Sequence, residues 1–205
     1  ELLPYYGSHD TSIKLKKQIH WKDSIKETVW TEIVAEKIRK QAQHLAEKKY
    51  TAQADMLVQY GKELEAADAT NREGHAAKVY FNALFGVNFT RSEENSINAA
   101  LNYGYGIILS CFNREIVASG YMTQLGLFHD NMFNQFNFAS DLMEPFRVLV
   151  DRKVVDMMPA KFEREERMEL IYLLQDRVEI EGKSNFVNNA VKIYCRSVFD
   201  ALNEG

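Results

Sequence analysis

Apolar residues recur at helical spacing through most of the chain. Trp21, Ile25, Val29, Ile33 and Ile38 fall four or five positions apart, close to the period that puts side chains on one helix face. They predict a helix from about Ser12 to Ala46 that breaks or frays once. A second helix is predicted from about Thr51 to Leu64, followed by a polar connection over 66–70. Thr70-Asn71-Arg72-Glu73 has the form of a capping box and Gly86 of a helix stop, with Ala77, Phe81, Leu84 and Phe85 as the apolar stripe between them. From Ser96 to about Thr123 runs a long, mostly apolar helix. It contains Gly104 and Gly106, where a close backbone neighbour is expected. A further helix spans about Ser140 to Met157, with Pro145 confined to its first turn. Glu163–Gln175 and Asn185–Asn203 complete the set. Strand-like alternation is confined to Arg177-Val178-Glu179-Ile180. The predicted fold is all-α over 12–205, preceded by an extended lead with Pro4 and Gly7.

Composition narrows the class. The chain has 205 residues, of which 46% are apolar, enough for one full globular domain. No apolar run approaches the length of a membrane span. Gly106-Ile107-Ile108-Leu109-Ser110-Cys111-Phe112 is too short and is expected to be a buried helical piece. Cys111 and Cys195 match no zinc spacing, so free thiols and a reducing, cytoplasmic setting are expected. A chain that opens on glutamate is expected to be a piece of something longer. Net charge is −4, yet residues 14–49 hold ten basic side chains against five acids, a local excess of five positive charges. Local density decides whether phosphates are bound. Lys14, Lys16, Lys17, Lys37, Arg39 and Lys40 are the candidates for that role, against the alternative of a solvated helix face.

The densest chemistry is Asp141-Leu142-Met143-Glu144-Pro145-Phe146-Arg147. Two carboxylates three residues apart share one helix face and repel unless a cation compensates. Arg147 is one such cation, which leaves a salt-bridged surface helix as the alternative reading. His129 stands fifteen residues before Glu144, and Glu73 opens an earlier helix. Glu73 fits a helix cap or a cleft, and His129 a structural role or a ligand. Two acids and an imidazole suit one hard or borderline divalent ion. Asn131 to Phe138 interleaves amides with aromatics, suited to bracing ligand-bearing helices or contacting sugar and phosphate. Other chemistries lack their motifs: there is no Glu-x-x-His repeat for a di-iron site, no phosphate-binding Gly-x-x-x-x-Gly-Lys loop, no Gly-x-Ser-x-Gly elbow and no dinucleotide fingerprint.

Taken together, the motifs resemble the CRISPR-associated integrase family, the endonuclease-integrase of spacer acquisition, in its type II form. The residues that carry the resemblance are Tyr5-Tyr6, His9-Asp10, Asn71 to Ala77, Tyr80-Phe81-Asn82, Leu101 to Tyr105, Thr123 to Gly126, His129, Asn134 to Asn137 and Asp141 to Arg147. It spans nearly the whole chain. The resemblance implies an all-helical catalytic domain over 12–205. Residues 1–11 would be the linker from a missing N-terminal β-domain. Glu73, His129 and Glu144 are implied as catalytic and metal ligands, with Asp141 a supporting carboxylate and Mg2+ or Mn2+ the ion. Arg147 joins the low-ranked DNA contacts. The implied reaction is transesterification, the joining of 3′-hydroxyl ends of short double-stranded DNA to a CRISPR repeat. A homodimer and a small ferredoxin-like partner in a heterohexamer are implied as well, in the bacterial cytoplasm and away from membranes. Val148 departs from the family, which usually has proline there. A plain metal-dependent nuclease and a non-catalytic DNA-gripping subunit are the competing expectations.

Overall fold

The structure is a computed structural model that describes residues 10–204. The expected linker over 1–11 therefore lies almost wholly outside the described residues. The fold is all-α, as the spacing predicts. Its helices are α1 (Thr11–Ile19), α2 (Asp23–Glu47), α3 (Thr51–Lys62), α4 (Arg72–Phe85), α5 (Ser96–Ala118), α6 (Asn137–Leu142), α7 (Arg147–Met157), α8 (Arg164–Tyr172) and α9 (Val187–Glu204). The predicted break in the first helix falls between Ile19 and Asp23. No helix of the described residues is long and apolar enough to cross a membrane.

The chain divides into two compact units interleaved along the sequence. One holds the residues through Trp30, then Ile108–Met143, then those from Leu174 onward. The other holds Thr31–Ile107 and Glu144–Leu173. In the first, Trp21, Tyr121, Phe138 and Phe199 form a buried aromatic cluster. α9 lines it with Val187, Ala190, Val191, Cys195, Val198, Phe199 and Leu202, all buried at the spacing of one helix face. Gln18 ties α1 down: its amide donates to the Met122 carbonyl at 2.9 Å, and its oxygen accepts from the Met122 N–H at 2.8 Å.

The same unit holds a hairpin whose second strand was not foreseen. β1 (Arg177–Ile180) pairs antiparallel with β2 (Lys183–Phe186), Ile180 facing Lys183. Glu181 and Gly182 connect them at φ 52° and 70°. Two successive positive φ values give the type I′ turn, whose twist matches the strands. Lys183-Ser184-Asn185-Phe186 carries little strand signal; the turn supplies its register.

The second unit packs α4 against α3 and α7 against α8, with Ile38, Leu45, Leu57, Tyr80, Leu101, Val150, Val154 and Leu170 buried. The structure differs from expectation at two helix boundaries. The predicted helix over 140–157 starts earlier, as α6, and Pro145 falls inside it. Pro145 has no N–H to give, and the chain narrows to a 3-10 turn over Glu144–Phe146 before α7 begins. The capping box at Thr70–Glu73 does not form. Asn71 takes a left-handed φ of 53° and makes no side-chain cap bond. The Asp68 carboxylate accepts from the Arg72 and Glu73 N–H groups instead, at 2.6 and 3.1 Å, which releases the Glu73 side chain from capping. A capping box does form on α8, between Glu163 and Glu166.

The two glycines of α5 also separate. A Cβ on Gly104 would collide with the Val150 side chain and stand 3.3 Å from Leu170 Cδ2, whereas one on Gly106 would meet nothing within 4 Å. The close neighbours of Gly104 are thus side chains of α7 and α8 rather than backbone. Gly104→Ala should destabilise the chain by about 1–3 kcal/mol through overpacking. Gly106→Ala should be neutral or stabilising by up to about 1 kcal/mol, because alanine is the better helix former. Urea midpoints of the two variants test the contrast; equal midpoints would contradict it.

Candidate active site

Glu73 lies in the first turn of α4, freed from capping as described. Glu144 lies at the 3-10 turn that Pro145 enforces. The fold brings both onto the ammonium of Lys37 from the middle of α2. Nζ is bonded to Glu73 Oε1 and to Glu144 Oε2, the latter at 2.5 Å. Arg147 Nε donates to the other oxygen, Glu144 Oε1, at 2.9 Å. Glu144 is 4% exposed and Lys37 8%. Burial alone would raise the Glu144 carboxyl, but the charges of Lys37 and then Arg147 outweigh it and hold the group below the usual range. Burial likewise opposes the Lys37 ammonium, and the Glu144 and Glu73 charges keep it above its ordinary value.

Lys37, a candidate phosphate contact in the sequence reading, is buried and paired with both glutamates. The signal was present: Val34, Lys37, Gln41 and His44 follow one helical stripe of α2, and all four are buried. A lysine on a buried stripe has a partner. Arg147, the other cation assigned to DNA, is likewise engaged by Glu144. Its guanidinium also lies over the Tyr105 ring, 4.7 Å from the centroid.

His129 and Asp141 meet in the other unit. The Asp141 carboxylate is fully buried at the end of α6. It accepts the backbone N–H groups of Leu127, Phe128 and His129 at 2.6, 3.1 and 3.2 Å. The same carboxylate pairs with His129 Nδ1 at 2.5 Å. Asp141 thus knots the loop that carries the histidine. A Cβ on Gly126 would stand 2.7 Å from Asp141 Oδ2, so the loop closes this tightly because Gly126 lacks one. The shared helix face expected for Asp141 and Glu144 is interrupted by the 3-10 turn. The Phe128 ring stacks on Trp30 at 4.7 Å, and the His129 ring meets Trp30 edge-on. A cleft of about 340 Å³ opens beside this loop, lined by Trp21, Lys26, Phe128, His129 and Asp130 among others. Among the described residues, no three His, Cys, Asp or Glu side chains are assembled into a metal-holding group. What the fold does assemble is one group in each unit: a carboxylate pair around one cation, and an imidazole fixed by a buried carboxylate.

The remaining cations from the sequence reading lie elsewhere. Lys14 and Lys17 line a cleft of about 410 Å³ with Lys192 and Arg196, which sequence reasoning did not single out, and with Asp10, Glu115 and Asp200. Lys16 is exposed on the same helix. Arg39 pairs with Glu36 at 2.7 Å, and Lys40 lies over the Phe146 ring.

Behind the carboxylate pair runs a buried polar network that the sequence reading also passed over. Tyr105 donates its hydroxyl proton to Asp151 Oδ1 at 2.5 Å, and Tyr80 Oη pairs with His44 Nδ1 at 2.6 Å. Burial drives both titratable ends toward neutrality: Asp151 is raised to about 6, and His44 is lowered to about 4.

The profile of the family described as CRISPR associated protein Cas1 matches residues 4–177. A CRISPR-associated endonuclease Cas1 of Neisseria meningitidis serogroup C (strain 8013) is 39% identical over 155 residues, which is 76% of this chain and 51% of that protein. A Cas1 endonuclease of Francisella tularensis subsp. novicida is 31% identical over 100 residues, covering 44% of this chain and 31% of its own. Among solved structures, a partial Cas6-RT-Cas1–Cas2 complex matches with TM-score 0.80 at 18% identity, covering 98% of this chain and 72% of that one. A casposase bound to integration product matches at 0.75 with 16% identity, over 95% and 70%. These structural likenesses are in fold. The arrangement is thus that of a helical Cas1 domain, and the chain belongs to the Cas1 family. It spans about half the length of the Neisseria relative.

The network behind the site gives a pH signature. The neutral Asp151 stabilises the fold at low pH, and this is lost as pH rises from its ordinary 3.8 through about 6. The neutral His44 acts in the opposite sense: its contribution is full above the ordinary 6.5 and lost as pH falls through about 4. The two slopes oppose each other between about pH 4 and about pH 6. The difference in urea midpoint from wild type, plotted over that range, should rise with pH for Asp151→Asn and fall for His44→Gln. Flat lines for both variants would show that neither group titrates as described.

Proposed function

We propose that the chain is the catalytic part of a divalent-metal-dependent DNA integrase and endonuclease of CRISPR adaptation. Its reaction would be transesterification, the joining of 3′-hydroxyl ends of short foreign DNA to the CRISPR repeat. The observation that carries this reading is the meeting of Glu73 and Glu144 on one cationic centre in a chain of the Cas1 family. A pair of carboxylates that already shares an ammonium suits a metal ion, because the oxygens converge on a common positive charge. The printed description of the casposase, bound to integration product, supports strand joining. The name of the Neisseria relative supports endonuclease action. With water in place of the 3′-hydroxyl, the same residues would cut.

Glu73 and Glu144 would hold Mg2+ or Mn2+ through oxygen, and His129 through Nε2. When bound, the metal supplies charge stabilisation at the phosphoryl oxygens and a more acidic attacking hydroxyl. Asp141, bonded at Nδ1, fixes the His129 tautomer and ring orientation, the usual task of a carboxylate behind a ligand histidine. Arg147 fixes the Glu144 carboxylate from its second oxygen. Lys14, Lys16, Lys17, Arg39 and Lys40 would hold phosphates. Double-stranded DNA is the proposed substrate, in an assembly with a second copy and a small ferredoxin-like subunit. The printed descriptions of two structural neighbours as Cas1–Cas2 complexes support a Cas2 partner.

Glu73→Gln and Glu144→Gln should abolish strand joining while DNA retention on filters is kept. Asp141→Asn should lower joining about 10–100-fold, the range for a residue that orients a ligand. An active Glu144→Gln variant would sink the assignment. DNA affinity should fall linearly on a log–log plot against salt, with the slope reduced by about one for each phosphate-binding lysine removed. A slope unchanged in Lys16→Ala and Lys17→Ala would remove those two from the DNA surface.

A further inference from the structure

Charge balance at the carboxylate pair calls for more than a passive lysine. Glu73 and Glu144 bring two negative charges; Lys37 and Arg147 bring two positive ones. The cluster is neutral as it stands. A divalent ion added to the intact cluster would leave it two charges positive at a site where Glu144 and Lys37 are buried, and at such depth uncompensated charge is strongly disfavoured. Like charges a few ångströms apart repel most where water is excluded. If the ammonium leaves as the ion enters, the excess falls to a single positive charge. One phosphodiester oxygen carries the single negative charge that matches it.

We propose that Lys37 is the built-in counter-ion of the Glu73–Glu144 pair, and that a divalent metal enters this pair by exchange with its ammonium. The proposal rests on the metal-dependent reading above and adds a residue to it. Geometry sets the exchange. Lys37 comes from α2, while its two partners come from α4 and the turn before α7. No carboxylate on its own helix competes for it, since its neighbour Glu36 is engaged by Arg39 and Lys40. Its ammonium contacts one oxygen of each carboxylate, Glu73 Oε1 and Glu144 Oε2. The other Glu144 oxygen is taken by Arg147. A divalent ion held by this pair would therefore compete with Lys37 for the Glu144 carboxylate, while Arg147 keeps its own oxygen. Lys37 is a positioning residue: without metal it holds two mutually repelling carboxylates together, and it sets how much affinity a metal must bring. The same charge count couples metal to DNA, because the excess charge left by exchange is neutralised when a phosphate arrives. Each ligand should tighten the other.

Mn2+ binding to the 205-residue chain, measured by calorimetry without DNA, tests this. Lys37→Met removes the competing charge and keeps the apolar stem, so Mn2+ should bind about tenfold tighter or more than in wild type. Lys37→Arg keeps the charge and should show no such gain. Thermal unfolding of Lys37→Met should start below wild type without metal and gain more from added Mn2+. Unchanged or weaker Mn2+ affinity in a folded Lys37→Met overturns the proposal. Wild type answers the same question if that variant fails to fold. The Lys37 ammonium resonance of 15N-lysine protein should shift or broaden as Mg2+ is titrated. A fixed resonance with Mg2+ bound overturns the exchange. Should wild type bind Mg2+ with the expected shift and yet join no DNA, the exchange stands and the integrase reading falls. Should it join DNA while the resonance stays fixed, the reverse holds.

Discussion

Glu144 is an ionised carboxylate at 4% exposure, and a charge at that depth persists only when the fold supplies compensation on every side. Lys37 answers one oxygen and Arg147 the other. Much of the second unit's design follows from meeting that demand. α2 must carry a lysine on its buried stripe. Pro145 must interrupt the helix just after Glu144. Arg147 must sit one turn on, its guanidinium lying over the Tyr105 ring, and the Tyr105 hydroxyl in turn donates a hydrogen bond to Asp151. Each of these is a local peculiarity when viewed alone. Together they form one chain of compensation that runs from the carboxylate pair into the core.

Asp141 solves a comparable problem in the first unit by a different route. No lysine or arginine reaches it among the contacts described. Three backbone N–H groups and the His129 imidazole converge on it instead. A carboxylate surrounded by peptide donors shapes backbone as much as it neutralises charge. The loop over 126–129 is therefore folded around Asp141, and the histidine is delivered with a fixed ring. Glu144 is held by side-chain cations, and Asp141 by backbone donors and an imidazole.

The helices were legible because their apolar stripes repeat at the helical period over many residues, as in α4, α5 and α9. What escaped was set by contacts distant in sequence. Thr70 and Glu73 spell a capping box, but Asp68 reaches the same N–H groups first. Pro145 suggested a helix start and instead marks a 3-10 interruption, because α6 begins before it. β2 has almost no strand propensity and is recruited by the Glu181-Gly182 turn. At the candidate site, Glu73, His129, Asp141 and Glu144 could be named from motif alone, and each pair meets within its own unit. The burial of Lys37 went unread since a lysine among many lysines looks like surface; its place on the stripe with Val34, Gln41 and His44 was the clue. The Asp151–Tyr105 pair left no mark in the sequence, as the two residues are far apart in it.

Cys111 and Cys195 are the chain's two thiols, both free and buried, and burial pushes the acidity of each away from the reactive thiolate. Both belong to the first unit. An alkylating reagent at neutral pH therefore finds neither thiol until the unit that carries the histidine opens, and its rate times that opening.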